Sequence, residues 1–385
     1  MKKFPLKLDK SLQFRKEQKA FRELSGQKNL VDFSSNDYLG LAKNNQIFEN
    51  AHRILVENDI LKNGGTGSRL LSGNHALYGL AEEKLKYFFN SEAALIYNSG
   101  YDANLGFFSS VPQRNDIVFY DELSHASIRD GINLGKAKAY KFFHNDHEDL
   151  EQKIIRIKKT SIDAIIYIVT EAVFSMDGDM PDLRQLAEIS EKYGCFLVVD
   201  EAHSVGVIGE TGKGLVEELG VSDHVFARLV TFGKALGAHG AAILGSRKLK
   251  DYLINFSRSL IYTTSLPPHS VATILAAIQF LETDGVLEIL KLQNNIQHFN
   301  SELEKRDLEP LFIKGNSAIY SCVVPGNEKV KQVAFNLQLE GFDVKPILSP
   351  TVPEGKERLR FCLHSFNSEE ELNSTLTVLK KEILS

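Results

Sequence analysis

Three cysteines in 385 residues, Cys195, Cys322 and Cys362, are too few and too widely spaced to suggest a disulfide framework or a zinc site. They lie in apolar stretches such as CFLVV and RLRFCL, so they read as buried thiols of a reducing compartment. Basic charge is also short: 45 lysines and arginines against 50 acidic residues leave a formal charge of −5. That excludes a protein built to hold phosphate backbones by bulk electrostatics, though not one that holds a small anion locally. No continuous apolar run follows the start, MKKFPLKLDKSLQFRKEQKAFREL, and Asp9, Glu17 and Glu23 count against an import sequence, so this segment reads as an amphipathic arm. The most apolar stretch, SVATILAAIQFL, is about half a membrane span and is interrupted by Thr273 and Gln279. Internal repeats, low-complexity tracts and Gly/Ser-rich linkers are missing too. The expectation is a soluble, cytoplasmic protein.

What is present is an ordinary globular composition, 43% hydrophobic and 25% charged, in a chain long enough for two packed domains. Between about residues 90 and 245, short runs rich in Ile, Val and Phe (AALIY, IVFY, AYKFF, AIIYIVT, CFLVV, RLVTF, GAAILG) alternate with helical patterns. That alternation predicts an α/β domain with a mostly parallel sheet covered by helices on both faces. In PDLRQLAEISEKYG, Leu183, Leu186 and Ile189 repeat at helical spacing, Pro181 suits the first turn and Gly194 the C-terminal cap. After Pro267 and Pro268 come long helical segments over about 269–306, then AIYSCVV, FDVKP and RLRFCL, and a final helix from about 368. The expected division is an arm over 1–38, a large α/β domain over 39–268 and a smaller C-terminal α+β domain over 269–385, with a ligand site between the domains.

The chemistry-bearing residues follow the strands. CFLVV runs into Asp200, Glu201, Ala202 and His203, and RLVTF ends in Thr231, Gly233 and Lys234. In a doubly wound sheet such strand ends face the ligand crevice. Taken singly, the aspartate is as readily a helix cap and the lysine more often a solvated surface residue. Together they deliver a carboxylate and an amine to one crevice edge, the pair that pyridoxal 5'-phosphate needs: a lysine for its Schiff base and an acid to keep its pyridine nitrogen protonated. His203 is placed to reach the ring hydroxyl or the imine region. Ser175, after AIIYIVT, is a candidate to hydrogen-bond a ring substituent, although a turn hydroxyl bonded to local backbone is the plainer reading. His125, after IVFY, is either a helix-start residue or a flat ring to stack on the pyridine. YNSGYDANLGFF offers backbone N–H groups at a helix start to a phosphate, and NGGTGSRLLSG reads equally as tight turns.

In order and spacing, FSSNDYLGL, GTGSRLLSG, DELSHAS, TEAVFSMDGD, VVDEAHSVGVIGETGKG, VTFGKALGAHGAA, IYTTSLPP and TVPEGKERLR resemble the α-oxoamine synthases of the fold-type I pyridoxal-phosphate enzymes. The resemblance implies the aspartate-aminotransferase-like fold and a pyridoxal 5'-phosphate carried on Lys234. It further implies Asp200 at the pyridine nitrogen, His125 stacked on the ring, His203 and Ser175 at the ring oxygen, and Thr231, Gly100 and Tyr101 at the phosphate. Thr263 and Thr264 match residues that reach the neighbouring subunit's phosphate, so a homodimer with its site at the interface is implied. Arg360 matches the anchor of the amino-acid carboxylate, and Asn36 a substrate contact. PTVPEGKERLR and SSNDYLGL are most similar to the branch that condenses L-alanine with a pimeloyl thioester, carried on coenzyme A or an acyl carrier protein, in the biotin pathway. Tyr78 stands where the family usually has a histidine, and the arm lacks several residues, which leaves open whether Arg15 or Arg22 meets the acyl substrate.

Sister reactions, glycine with acetyl-CoA or serine with a long-chain acyl-CoA, would use the same residues, as would an aminotransferase or decarboxylase working without a thioester. The letters DEAH at 200–203 invite a helicase reading, but no GxxxxGK[ST] loop precedes them, and GETGKG has Gly214 where Ser or Thr is required.

Overall fold

The computed structural model describes residues 4–24, 26, 29–161 and 163–384. Along the chain run α1 (Leu6–Glu17), β1 (Val31–Asp32), α2 (Asn45–Glu57), α3 (Ala76–Phe88), β2 (Ala93–Tyr97), α4 (Gly100–Ser110), β3 (Ile117–Asp121), α5 (Ala126–Leu134), β4 (Lys138–Phe142), α6 (His147–Thr160), β5 (Ile166–Glu171) and α7 (Leu183–Tyr193). There follow β6 (Phe196–Asp200), α8 (Leu215–Glu218), β7 (Val225–Thr231), β8 (Ala241–Gly245), α9 (Arg247–Phe256), α10 (Arg258–Ile261), α11 (Pro268–Leu281) and α12 (Gly285–Lys305). The last elements are β9 (Ile319–Val323), α13 (Asn327–Leu339), β10 (Phe342–Asp343), β11 (Lys345–Ile347), β12 (Arg358–Cys362) and α14 (Glu369–Leu384). No single helix among the described residues is long and apolar enough to cross a membrane.

Two compact units divide the chain. The larger holds Asn36–Ser175 and Asp179–Gln293, and the smaller holds the residues before Asn36, Met176–Gly178 and those from Asn294 on. This departs from the boundaries expected at 38 and 268. Pro267 and Pro268 start a helix rather than end a domain: α11 has Pro at its first turn, buries Val271, Ile274, Ile278 and Leu281, and packs on α2 and α3 of the larger unit. The arm in turn belongs to the smaller unit, where β1 pairs in parallel with β10. α1 is not amphipathic. Leu6, Leu8, Leu12 and Phe14 fall around it rather than along one face, and it buries no residue.

The larger unit carries a seven-stranded sheet in the order β2-β8-β7-β6-β5-β3-β4, parallel except at β8, which is antiparallel to both β2 and β7. Its inner strands are buried on both faces, which is why they read as apolar runs rather than alternating ones, whereas the edge strand β4 is largely exposed. α7 is capped by Asp182, whose side chain accepts the Gln185 N–H, so Pro181 precedes the cap instead of opening the first turn, and Gly194 ends the helix at φ 58°. The smaller unit holds the antiparallel sheet β11-β12-β9. Cys322 and Cys362 are buried there, whereas Cys195 in the larger unit is only half-buried.

Beyond the end of β3, His144 lies between two carboxylates, with Nδ1 2.9 Å from Asp121 and Nε2 2.6 Å from Asp179. Burial alone would lower its pKa, but the two acids outweigh it and hold the imidazole at about 9. A histidine whose pKa rises on folding stabilises the protein while protonated. Its contribution is therefore whole below about pH 6.5 and is lost as pH climbs through about 9. Denaturant midpoints are expected to fall across that window by the equivalent of at most about 3 kcal/mol. His144→Gln should flatten that part of the profile, and a variant with an unchanged slope would rule out this origin.

Candidate active site

The C-terminal ends of β5, β6 and β7 and the start of α4 enclose a cavity of about 290 Å³. All sixteen of its lining residues belong to the larger unit. Eight of the expected positions are among them: Asn36, Gly100, Tyr101, His125, Asp200, His203, Thr231 and Lys234.

Lys234 is half-buried, against the surface location a lone lysine would favour. It sits in a turn closed by backbone bonds from Phe232 to Gly240, from Ala238 to Phe232 and from Gly237 to Lys234. Gly237 is required there: its φ is +62°, and a Cβ would stand 2.1 Å from the Ala42 nitrogen. Thr231, the last residue of β7, directs its hydroxyl to the Ala202 carbonyl at 3.3 Å.

Asp200 ends β6 and is 7% exposed. Its carboxylate accepts from the Ala202 N–H at 3.0 Å and from Asn104 Nδ2 at 2.8 Å. Its neighbour Glu201 faces away from this chemistry. Fully buried, it pairs with Arg228 through Nε at 2.7 Å and accepts the Val216 N–H at 3.0 Å. The DEAH string is thus one site carboxylate followed by a structural ion pair.

His203 stands 2.7 Å through Nδ1 from the Tyr38 hydroxyl, which itself donates to Asn36 at 3.1 Å. His125 caps α5, and its backbone N–H donates to Glu171 at 2.5 Å. Desolvation holds the His125 pKa below the ordinary histidine value even though the charge of Asp200 pulls upward. Burial, and behind it the charge of Asp200, push the Glu171 carboxyl well above the usual glutamate range.

At the start of α4, Ser99 caps the helix and Gly100 lies so close to Thr231 that a Cβ would meet Cγ2 at 2.7 Å. The free N–H groups of this first turn, opposite a threonine hydroxyl, suit an anion. The Tyr101 hydroxyl donates to Asp130.

Four expected residues do not line the cavity. Ser175 is half-buried just outside it, in a turn closed by the Phe174 N–H on the Asp179 carbonyl. Thr263 and Thr264 are held by Asn98, whose Nδ2 reaches the Thr263 hydroxyl at 3.3 Å and the Thr264 carbonyl at 2.6 Å. Arg360 belongs to the smaller unit, on β12 between Lys345 and Ser321, with Nη1 2.9 Å from Cys362 Sγ. Tyr78 is a packing residue: its hydroxyl accepts the Leu266 N–H at 2.9 Å and its ring lies 3.9 Å beneath the Arg69 guanidinium. In the smaller unit, Arg15 lines a groove with Lys10, Phe14 and Pro350, and Arg22 reaches the Thr351 hydroxyl at 3.4 Å. Sequence reasoning missed Tyr38, Asn104, Ser127, Glu171 and His239. All five stand in the quoted motifs, but Asn104 and Ser127 look there like ordinary polar helix positions.

A family model for class I and II aminotransferases matches residues 28–379. The chain is 40% identical to an 8-amino-7-oxononanoate synthase from Emericella nidulans, over 91% of this chain and 88% of that one. It is 38% identical to one from Geotalea daltonii, over 90% and 86%. Among solved structures it resembles a serine palmitoyltransferase from Sphingomonas wittichii (TM-score 0.85, 29% identity, 92% of this chain and 87% of that one). It also resembles the 8-amino-7-oxononanoate synthase of Francisella tularensis (TM-score 0.76, 29% identity, 92% and 98%).

Proposed function

Since the chain belongs to the class I and II aminotransferase family and is related within it to the 8-amino-7-oxononanoate synthases, we propose that it condenses L-alanine with a pimeloyl thioester. The products are 8-amino-7-oxononanoate, carbon dioxide and the free thiol of coenzyme A or a carrier protein. The cofactor is pyridoxal 5'-phosphate. The observation that carries the reading is one cavity lined by the Lys234 amine, the Asp200 carboxylate, three histidines and the close-packed helix start at Gly100. That donor set matches an aldehyde, a pyridine nitrogen, an aromatic ring with its hydroxyl, and a phosphate.

Bound there, the cofactor supplies an electron sink for the carbanion formed at the amino-acid α-carbon and again when carbon dioxide leaves. Lys234 would hold it through Nζ, and the same amine is placed to take the α-proton of alanine. Asp200, oriented by its two N–H donors, would pair with the pyridine nitrogen and hold its proton. His203 and Ser175 bind the ring hydroxyl, and Gly100, Tyr101 and Thr231 bind the phosphate. His125 would lie against the cofactor ring and supply a proton to the thioester carbonyl oxygen. Arg360 and Asn36 hold the amino-acid substrate. A second copy of the chain completes the site through Thr263 and Thr264. Leu61, Leu71 and Tyr262, 77%, 84% and 73% exposed, lie in segments tied together by the Ser265 N–H on Gly67, which supports a homodimer on this side.

The structural likeness to a serine palmitoyltransferase favours a sister condensation as the second reading. Crossing alanine, glycine and serine with pimeloyl, acetyl and palmitoyl thioesters, and reading product masses, separates the two. Alanine with the pimeloyl thioester is expected to dominate, and a preference for serine with palmitoyl-CoA would replace the first reading with the second.

A further inference from the structure

We infer that Asn104 and Ser127 are positioning residues that hold His125 as the neutral tautomer protonated on Nε2, by relaying hydrogen-bond direction from Asp200. The inference deepens the reading above, on which the use of His125 as a proton donor rests.

The relay is read one donor at a time. A carboxylate only accepts, so the Asn104 amide must turn its NH₂ toward Asp200, and Nδ2 lies 2.8 Å from Oδ2. The same Nδ2 lies 3.0 Å from the Ser127 hydroxyl and supplies its second hydrogen there. Ser127 Oγ is thereby an acceptor, and its own proton is left for His125 Nδ1 at 2.7 Å. The Ser127 backbone N–H converges on the same nitrogen at 3.3 Å. Two donors meeting at Nδ1 require a lone pair there, so the ring proton sits on Nε2. Asn104 and Ser127 are 2% and 1% exposed, so the order of donors is set mainly by these protein groups. Adding a proton at Nδ1 would strand the serine hydroxyl without an acceptor in a buried place.

Helix packing makes the relay possible. α4 carries Gly100 at its start and Asn104 one turn later, so a single helix serves both the anion turn and Asp200. α5 approaches closely because of Gly131, where a Cβ would stand 2.7 Å from the Asn104 carbonyl oxygen and 3.0 Å from Phe108 Cβ. The consequence is that the negative charge of Asp200 is expressed at His125 as a fixed N–H donor on Nε2, the atom for which no partner occurs among the described residues.

Neutron diffraction from a deuterated crystal of the cofactor-loaded enzyme reads the tautomer directly. A deuteron on His125 Nε2, none on Nδ1, and a Ser127 O–D directed at Nδ1 are expected; a deuteron on Nδ1 overturns the proposal. Ser127→Ala is expected to lower kcat about tenfold with KM for alanine changed less than about twofold, because one proton-donating group is affected rather than binding. It should also raise the His125 pKa in an NMR titration of ring nitrogens, and Ser127→Thr should restore both values. An alanine variant with wild-type kcat and an unmoved titration overturns the relay, and the neutron result stands even if that variant fails to fold. Since the tautomer is read without turnover, an error in the assigned acyl substrate would leave this result unchanged.

Discussion

Lys234→Ala is expected to lose at least about 10⁴-fold in condensation rate with alanine and a pimeloyl thioester. The lysine carries two duties, covalent retention of the cofactor and removal of the α-proton, and no second amine lines the cavity to take over either. The loss should be chemical rather than structural. The turn around Lys234 is closed by its own backbone bonds, and Thr231 and Ala241 on either side stay in register, so truncation leaves the frame in place. Thermal stability should therefore stay near the wild-type value, and borohydride should no longer fix cofactor to the chain. Full turnover in this variant would remove Lys234 from the proposed chemistry.

Asp200→Ala is expected to lower the rate on the order of 10³-fold, the scale reached when one preorganised charge at a reacting centre is removed. Part of the loss comes from the pyridine nitrogen, which no longer has an anion to hold its proton. A further part comes from Asn104, which loses the acceptor that orients its amide and with it the order of donors leading to His125. Cofactor retained through gel filtration, alongside turnover, measures the first part. Asp200→Glu keeps the charge and should recover some retention while leaving the rate low, because a side chain longer by one methylene displaces the carboxylate from its 2.8 Å contact with Asn104. A rate within tenfold of wild type for the alanine variant would contradict this role.

Most of the large sheet is legible because its inner strands are buried on both faces and therefore stand out as apolar runs between helical patterns. The strand-end chemistry follows from it: Asp200 comes directly after CFLVV, Thr231 lies near the end of RLVTF and Lys234 two residues beyond it. Asn104 was invisible by the same method. It lies one turn inside a helix, and nothing in ANLGFF distinguishes an asparagine facing a carboxylate from one facing water. Glu171 closes its strand like any β5 terminus, and only the tertiary placement of His125 shows what its carboxylate accepts. The unit boundary failed for a related reason. Paired prolines signal a break in the chain's direction, and here they begin a helix that stays with the same core. The pairing of β1 with β10 joins two-residue strands some 300 positions apart, too short to leave any periodic trace.

The antiparallel strand β8 has a consequence for how the protein is made. β2 lies at the end of the sheet, and β8 is its neighbour there. During synthesis, β2 emerges about 145 residues ahead of that neighbour, and at roughly 5–20 residues per second it waits on the order of ten seconds with its edge unpaired. Its sequence, AALIY, is uncharged and apolar, a combination that invites pairing with other nascent chains. The turn that carries the lysine is also the turn that brings β8 back, so sheet closure and completion of the cavity are one late event on the ribosome. Slowed translation between residues 98 and 240 should accordingly increase aggregation of this protein more than slowing anywhere after β8.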